Sequence, residues 1–343
     1  MKKSLLTLAA LTAFAGVASA QSSVTLFGLV DQSVMWAKNG NNTMKGVASN
    51  QLASNRLGFR GVEDLGGGLK AGFWLEAGMD NDVGGVGGSN GLGGSVMFNR
   101  RSTVSLMGGF GEIRLGRDYT PSFWNYTVFD PFGTNGPGSM LNVISTLGSG
   151  AITLVRANNT VGYFLPEMGG VYGQLQIAAG EGNTGNKYQG GRVGYAAGPV
   201  NVAVAYGRNP DSGGLAANYT DWNVGGSYAF GPAVIMAQYS KRKFDLAGGI
   251  DQKTWELGGT YAIGASTLKA AYVRSNGTTS ALEARQIAVG YQYDLSKRTA
   301  LYATYADLKN ETGAKFNAAG GLPLAIAAGD KSRALAVGVR HTF

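Results

Sequence analysis

From Ser23 onward, large apolar side chains recur at every second position in segment after segment. Val200, Val202, Val204 and Tyr206 alternate with Asn201, Ala203 and Ala205, and Trp222, Val224, Gly226 and Tyr228 with Asn223, Gly225 and Ser227. Trp255, Leu257, Gly259 and Tyr261 alternate with Thr254, Glu256, Gly258 and Thr260, and Ile287, Val289, Tyr291 and Tyr293 with Gln286, Ala288, Gly290 and Gln292. A period of two is the mark of a β-strand with one greasy face. Sixteen segments read this way: 23–37, 53–63, 68–82, 97–107, 111–118, 158–165, 171–181, 187–196, 200–208, 219–229, 232–243, 252–262, 265–275, 283–293, 298–309 and 331–343.

The connections alternate too. Short turns such as Asp64-Leu65-Gly66-Gly67, Ala197-Gly198-Pro199 and Phe230-Gly231 follow the even-numbered segments. Longer stretches follow the odd-numbered ones, at 38–52, 83–96, 119–157, 209–218, 244–251, 276–282 and 310–330, with 182–186 short for its class. Short turns on one rim and long loops on the other indicate an outer-membrane barrel. A closed barrel pairs every backbone N–H and C=O inside a bilayer without leaving an edge. At sixteen strands the interior is too wide for side chains to fill, so a water-filled channel is expected.

The last nine residues sharpen this reading. Leu335, Val337, Val339, His341 and Phe343 share one face, and Ala336, Gly338, Arg340 and Thr342 the other. An exposed greasy strand would be an aggregation edge in a soluble domain. In a closed barrel it pairs with the first strand.

Composition agrees. The chain has 343 residues, with 56 glycines, 8 prolines and no cysteine. Fold stability therefore rests on strand pairing and packing, without disulfides. The 16 tyrosines include Tyr163, Tyr195, Tyr206, Tyr228, Tyr239 and Tyr293 near predicted strand ends. Amphipathic rings suit a membrane interface. Met1-Lys2-Lys3, the apolar stretch from Leu5 to Val17 and Ala18-Ser19-Ala20 read as a secretory leader, 1–20, cleaved before Gln21. With Lys2 and Lys3 removed, the formal charge falls from +8 to +6. Residues 21–343 then form one barrel domain. They contain no run of 18 apolar residues, which excludes a transmembrane helix.

Strand parity sorts the charges. Arg56, Arg60, Lys70, Arg101, Arg114, Arg192, Lys269 and Arg340 fall on the inward face, with the acids Asp31, Glu76, Glu112, Asp118 and Glu256. Arg100 has the opposite parity, and Arg156 closes the long stretch 119–157. That stretch carries Phe123, Trp124 and Tyr126, which argue against disorder, so it is expected to fold into the barrel and narrow the pore. It adds Asp130. Charged rings on a pore wall select ions by sign.

Four stretches carry a family resemblance: Ser23 to Gly28, Asn55 to Leu69, Gly116-Arg117-Asp118-Tyr119, and Arg340-His341-Thr342-Phe343. In order along the mature chain, they resemble the general porins of β-proteobacteria. The resemblance implies a homotrimer of sixteen-stranded antiparallel barrels in the cell outer membrane, each with its long third loop folded into the pore. It implies passive diffusion of small hydrophilic solutes and ions, often with anion preference. In that family arginines from the second strand, the fourth strand and the end of the long loop line the constriction. These positions are Arg56, Arg100 or Arg101, and Arg156, with an Arg-Arg pair in place of the usual Arg-Gln. Near the loop stand only Asp118 and Asp130, an acid-poor arrangement that would favour anions. Phe343, with His341, matches the signal read by the barrel-insertion machinery. Outer-membrane lipids are the remaining expected partner.

Other classes fare worse. The lone histidine, His341, lies on the outward face, so histidine-based hydrolysis is excluded. The scarcity of His and Cys leaves no transition-metal site, and no cofactor is expected. Asp80-Asn81-Asp82 offers at most a weak calcium loop, and solvated loop is the plainer reading. Basic residues spread along strands without a clustered groove do not suggest nucleic acid. The alternative function is a substrate-specific channel for sugars or phosphate-like anions. Its mark would be a ladder of inward aromatics, to which Trp74, Phe164 and Tyr302 would contribute.

Overall fold

The computed structural model describes residues 23–89, 95–149, 154–182, 184–246 and 248–343, and the expected leader lies outside them. Sixteen of the described strands form one antiparallel ring. They are β1 (Ser23–Asn39), β2 (Arg56–Gly66), β3 (Leu69–Asp80), β4 (Arg101–Gly108), β5 (Gly111–Tyr119), β6 (Arg156–Phe164), β7 (Val171–Ala178) and β8 (Tyr188–Ala197). The ring continues with β9 (Val200–Asn209), β10 (Tyr219–Phe230), β11 (Ala233–Phe244), β12 (Ile250–Ile263), β13 (Ser266–Gly277), β14 (Ala284–Asp294), β15 (Thr299–Asn310) and β16 (Lys331–Thr342). Each strand pairs with the next. β1 closes the ring by pairing with β2 over Ser23–Leu29 and with β16 over Leu29–Asn39.

The barrel is inside-out relative to a soluble domain. Val202, Val204, Leu257, Ile287 and Val289 are exposed on the outer wall, while Asn223, Gln238, Gln252, Thr254 and Gln286 are buried on the inner one. This is the arrangement expected where hydrocarbon lies outside and water or folded loop lies within. Tyr195, Tyr228, Tyr261 and Tyr293 face outward near the short-turn rim, and Trp222, Trp255, Tyr206 and Tyr305 do so nearer the loops.

Three segments depart from the sequence reading. Residues 38–52 are not a loop. β1 runs on to Asn39, a tight turn follows at Gly40 (φ +56°), and Asn42–Ser49 pairs back along Gln32–Asn39. The second strand is thus broken, and residues 50–55 leave the ladder for the lumen. The Asp31 carboxylate anchors them by accepting from the Leu52 and Ala53 amides at 2.6 Å each. Similarly, 83–96 contains the short strand Gly85–Val86 paired with the end of β3. The third departure is the long connection, which holds helix α1 (Pro121–Phe129) and a 3₁₀ turn at Met140–Val143. Pro121 suits the first helical turn, where its missing N–H has no intrahelical acceptor to satisfy.

Candidate functional site in the barrel lumen

The connection from β5 to β6 lies inside the barrel, held by the polar inner face of β8–β14. Asn125 donates to the Ala203 carbonyl at 3.2 Å, and Asn223 to the Ser122 carbonyl at 3.0 Å. The Tyr126 hydroxyl donates to Asp221 at 2.6 Å. Further along, Gln252 donates to Val143 O (3.0 Å) and Gln286 to Gly138 O (3.1 Å) and Ser139 O (3.0 Å). Glycines make room for the segment: a Cβ on Gly225 would come within 2.2 Å of the Phe129 ring. At its far end Asn135 accepts from Ser54 at 2.7 Å, so the segment reaches across to the residues that leave the ladder before β2.

Against the β2–β6 wall stands a cluster of arginines. Glu76 on β3 receives Arg100 Nε at 2.6 Å, Arg56 Nη1 at 3.6 Å and the Trp74 indole N–H at 3.0 Å. Arg156, the first residue of β6, sits in register with Tyr119, the last of β5. The Tyr119 hydroxyl accepts from both Arg100 (2.8 Å) and Arg156 (2.7 Å), and the Arg156 guanidinium lies 4.2 Å from the Tyr119 ring centre. Phe123 and Trp124 of α1 pack on the same ring at 5.2 Å each. Three guanidiniums thus converge on one carboxylate and one neutral phenol, which leaves two positive charges uncompensated within the cluster.

Arg100 and Arg101 both point inward. The Arg100 amide donates to Glu76 O, while Arg101 is in register with Glu76, so two residues oppose one. Such a bulge lets consecutive side chains share a face, which strict alternation forbids. The two arginines then part. Arg101 stacks 4.5 Å from the Trp74 ring centre and lies 3.7 Å from Asp118. Arg114 binds Glu112 through two bonds of 2.8 Å and Asp118 at 2.6 Å. This second group has as many acids as bases. Arg60 lies four residues down β2 from Arg56, about 13 Å along the strand, between the Phe27 and Trp74 rings at 5.4 and 5.1 Å. It belongs to a lower tier of the wall, nearer the short turns.

Two expected acids do not face the opening as an opposing wall. Asp118 is buried on the arginine side. Asp130 is buried within the long connection, accepting from the Phe132, Thr134 and Met140 amides at 2.7, 3.0 and 3.1 Å. Burial pushes its carboxyl up to about 6. His341 faces outward and meets Thr299 Oγ1 at 2.9 Å, and Phe343 extends the closing ladder by exchanging backbone bonds with Gly28. Asp82 accepts from Ser49 at 3.0 Å. Tyr119, quoted in the sequence only as part of a motif, joins two of the arginines. Its signal was its position, at the strand end opposite Arg156. The fully buried Arg242, bonded to Ser240 (3.0 Å) and Thr254 (2.8 Å) under α1, was also missed, although its inward parity was readable.

Comparison with known proteins places this geometry in context. A family model described as Gram-negative porin matches residues 7–313. Outer membrane porin protein 32 of Delftia acidovorans is 38% identical over 359 residues, covering 100% of both chains. Major outer membrane protein P.IB of Neisseria gonorrhoeae is 31% identical over 204 residues, 55% of this chain and 52% of its own. Among solved structures, an anion-selective porin from Comamonas acidovorans matches with a TM-score of 0.85 at 37% identity, over 94% of this chain and 100% of that one. The trimer form of OmpT from Vibrio cholerae matches at a TM-score of 0.69 and 17% identity, over 94% and 99% of the two chains, a likeness of fold alone.

Proposed function

The chain belongs to the Gram-negative porin family, and from that premise we propose that its outer-membrane channel prefers anions and that Arg56, Arg100 and Arg156 set the preference. Porins are non-enzymatic channels for passive diffusion of small hydrophilic solutes, and this chain is one of them. The observation that carries the selectivity is the charge imbalance at the long connection. Glu76 pairs with two of the three guanidiniums, Arg56 and Arg100, while Arg156 has only the Tyr119 hydroxyl and a backbone carbonyl, and the described residues 120–149 contain one acid, Asp130, which is buried. A passing anion meets fixed positive charge on one wall and neutral groups on the other. The anion-selective Comamonas porin supports the reading by its likeness. Arg101 and Arg114, tied to Asp118 and Glu112, contribute less net charge, and Arg60 extends the positive wall toward the short-turn rim.

The same reading takes residues 1–20 as a cleaved leader, 21–343 as one barrel domain with 119–157 as its constriction loop, and three copies as the working assembly. It keeps Phe343 and His341 as the assembly signal.

A planar-bilayer recording under a salt gradient tests the selectivity. The expected reversal potential has the sign of anion preference, and Arg56→Gln with Arg156→Gln moves it toward zero. A cation-preferring wild type, or a double variant with unchanged reversal potential, overturns the assignment.

A further inference from the structure

Behind the start of α1, across the lumen from the arginine cluster, the wall and the long connection enclose a small cavity. It is lined by Ser122 of α1, Leu154 near the far end of the connection, Tyr188 of β8, Asn209 of β9, and Tyr219 and Asp221 of β10. Alternation turns the four wall residues inward, and the register sets Asn209 opposite Tyr219 and Gly207 opposite Asp221. Gly207 keeps the space open: a Cβ there would come within 2.6 Å of the Tyr188 hydroxyl and 3.1 Å of Ser122 Oγ. The two ends of the connection meet beside it, where Thr120 Oγ1 donates to Leu154 O at 3.2 Å and the Thr120 amide to Val155 O at 3.1 Å. The cavity therefore sits at the root of the connection, against the loop-side ends of three strands.

Four oxygens on its walls have no hydrogen-bond partner among the described residues: the Tyr188 and Tyr219 hydroxyls, Asn209 Oδ1 and Asp221 Oδ2. Their residues are at most 4% exposed. Buried polar groups in folded proteins are paired, with protein or with ordered water. The remaining atoms of the two acceptor side chains are already engaged. Asn209 Nδ2 donates to Gly185 O at 2.9 Å and to Lys187 O, which fixes its amide, and Asp221 Oδ1 accepts from the Tyr126 hydroxyl at 2.6 Å. The free space is about 10 Å³, the least that admits one water molecule. One water matches the set: it donates to Asn209 Oδ1 and Asp221 Oδ2, which only accept, and accepts from the two phenols, which can donate. Ions match it less well. An anion would face the Asp221 carboxylate, and a cation would add a second positive charge near the fully buried Arg242, which lies opposite Asp221 in the register.

We infer that one water molecule is held in this cavity as part of the fold, and that it pins the root of the long connection to β8, β9 and β10. The role rests on the reading of residues 119–157 as the constriction loop. Asp221 couples the water to α1, because one carboxylate oxygen takes the Tyr126 hydroxyl and the other takes the water. Loss of the water frees the second oxygen to seek another donor, and with it the anchor of Tyr126.

Occupancy is tested by a crystal structure of the full chain at a resolution that shows ordered water, from crystals grown in rubidium bromide. The expected result is a single peak within hydrogen-bond distance of the four oxygens, with no anomalous signal. An anomalous peak makes this an ion site and overturns the proposal, as does an empty cavity with the four groups paired to one another. Tyr188→Phe and Tyr219→Phe test the pin, since each removes one hydroxyl and keeps the ring. Each should make brief closures in single-channel records more frequent by roughly two- to tenfold, the weight of one buried hydrogen bond. The two hydroxyls do not bond each other, so without a shared partner their effects would multiply. With the water between them, the double variant should fall short of that product. Closures at the full product, or unchanged in both single variants, overturn the pin. If the double variant does not fold, the wild-type crystal still decides occupancy. Neither substitution changes a charge, so the wild-type reversal potential should persist. Failure of the anion reading would show in that potential, and failure of the pin in the closures.

Discussion

Glu76 shows how one side chain can set two properties in opposite directions. It holds Arg56 and Arg100 together and accepts the indole N–H of Trp74. Removing one partner of a buried ion pair costs about 3–5 kcal/mol, because the charge left behind is desolvated and alone. Glu76→Gln should therefore lower the thermal unfolding midpoint. Any channels that do fold have gained a positive charge, so their reversal potential should move further toward the anion limit. A midpoint and a reversal potential that both stay put would mean that Glu76 neither anchors nor screens the arginines. At this scale the sequence was informative wherever alternation held. Arg56, Arg60, Arg114 and Glu76 were placed inward by parity alone, and the register agrees. Arg100 was not, because a bulge is a local break in the very period on which parity depends. The resemblance to β-proteobacterial porins left Arg100 and Arg101 as alternatives. The structure turns both inward and gives them different partners, Glu76 for one and Trp74 for the other. Asp130 was readable as an acid of the loop but not as a buried one, since burial here comes from the loop folding back on itself.

The long connection is the element that turns a wide barrel into a narrow channel, and its attachment is polar. The inner wall offers Asn223, Gln252 and Gln286, whose amides bond to the segment's backbone carbonyls. The sequence hinted at this element through its aromatics and Pro121 but hid its helix. The buried positions of α1, Ser122, Phe123, Asn125, Tyr126 and Phe129, mix polar with apolar because the wall they pack on is itself polar. A helix on such a wall has no apolar stripe to read. The Asn42–Ser49 arm was missed for a related reason: Asn-Gly-Asn-Asn looks like the start of a loop and is instead a tight turn between paired strands. Asp130 gives the long connection a pH dependence. Its folded pKa, about 6, lies above the ordinary carboxylate value because burial outweighs the three amides it accepts from. Lys269 and Glu256 on the facing wall are the charged groups that influence it. A raised pKa means that the folded loop holds the proton more tightly than the unfolded chain does. That contribution is fully present below the unfolded value and is lost as pH rises through the folded one. Transient closures in single-channel records should become more frequent between about pH 5 and about pH 7. Asp130→Asn should remove the midpoint near 6 expected of the wild type. A flat pH profile in the wild type would detach this carboxyl from the loop's stability.

The whole molecule depends on one long-range closure, between its first and last strands. Local hairpins build β2 to β16 in sequence order, each strand pairing with its neighbour across a turn or loop. The β1–β16 ladder instead joins Leu29 to Thr342 and Asn39 to Ser332, so it must wait until the ends meet. Loop-closure entropy is lost before such contacts repay it. Alternation and loop lengths made this architecture the most legible part of the sequence, because the bilayer imposes the same rule on every strand. The detail at the seam was not legible. Phe343 continues the ladder past β16, its carbonyl accepting from the Gly28 amide at 2.9 Å and its amide donating to Gly28 O at 3.1 Å. Its ring covers the hydrogen side of Gly28 so closely that a Cβ there would come within 2.2 Å of it. An aromatic laid over a facing glycine restores the side-chain contact the glycine lacks. A cross-strand pair of this kind is worth about 0.2–1 kcal/mol, which is small beside a barrel's total but concentrated where closure is decided. Phe343→Ala should therefore lower the yield of heat-modifiable, folded barrel in refolding assays by more than it lowers the unfolding midpoint of barrels already closed. The contact of Phe343 with Gly28 lies at the short-turn end of the seam and involves neither Arg56, Arg100 and Arg156 nor the long connection, so channels that do form should conduct as the wild type does. A variant that closes in normal yield but conducts abnormally would place the role of Phe343 in the pore and not in its assembly.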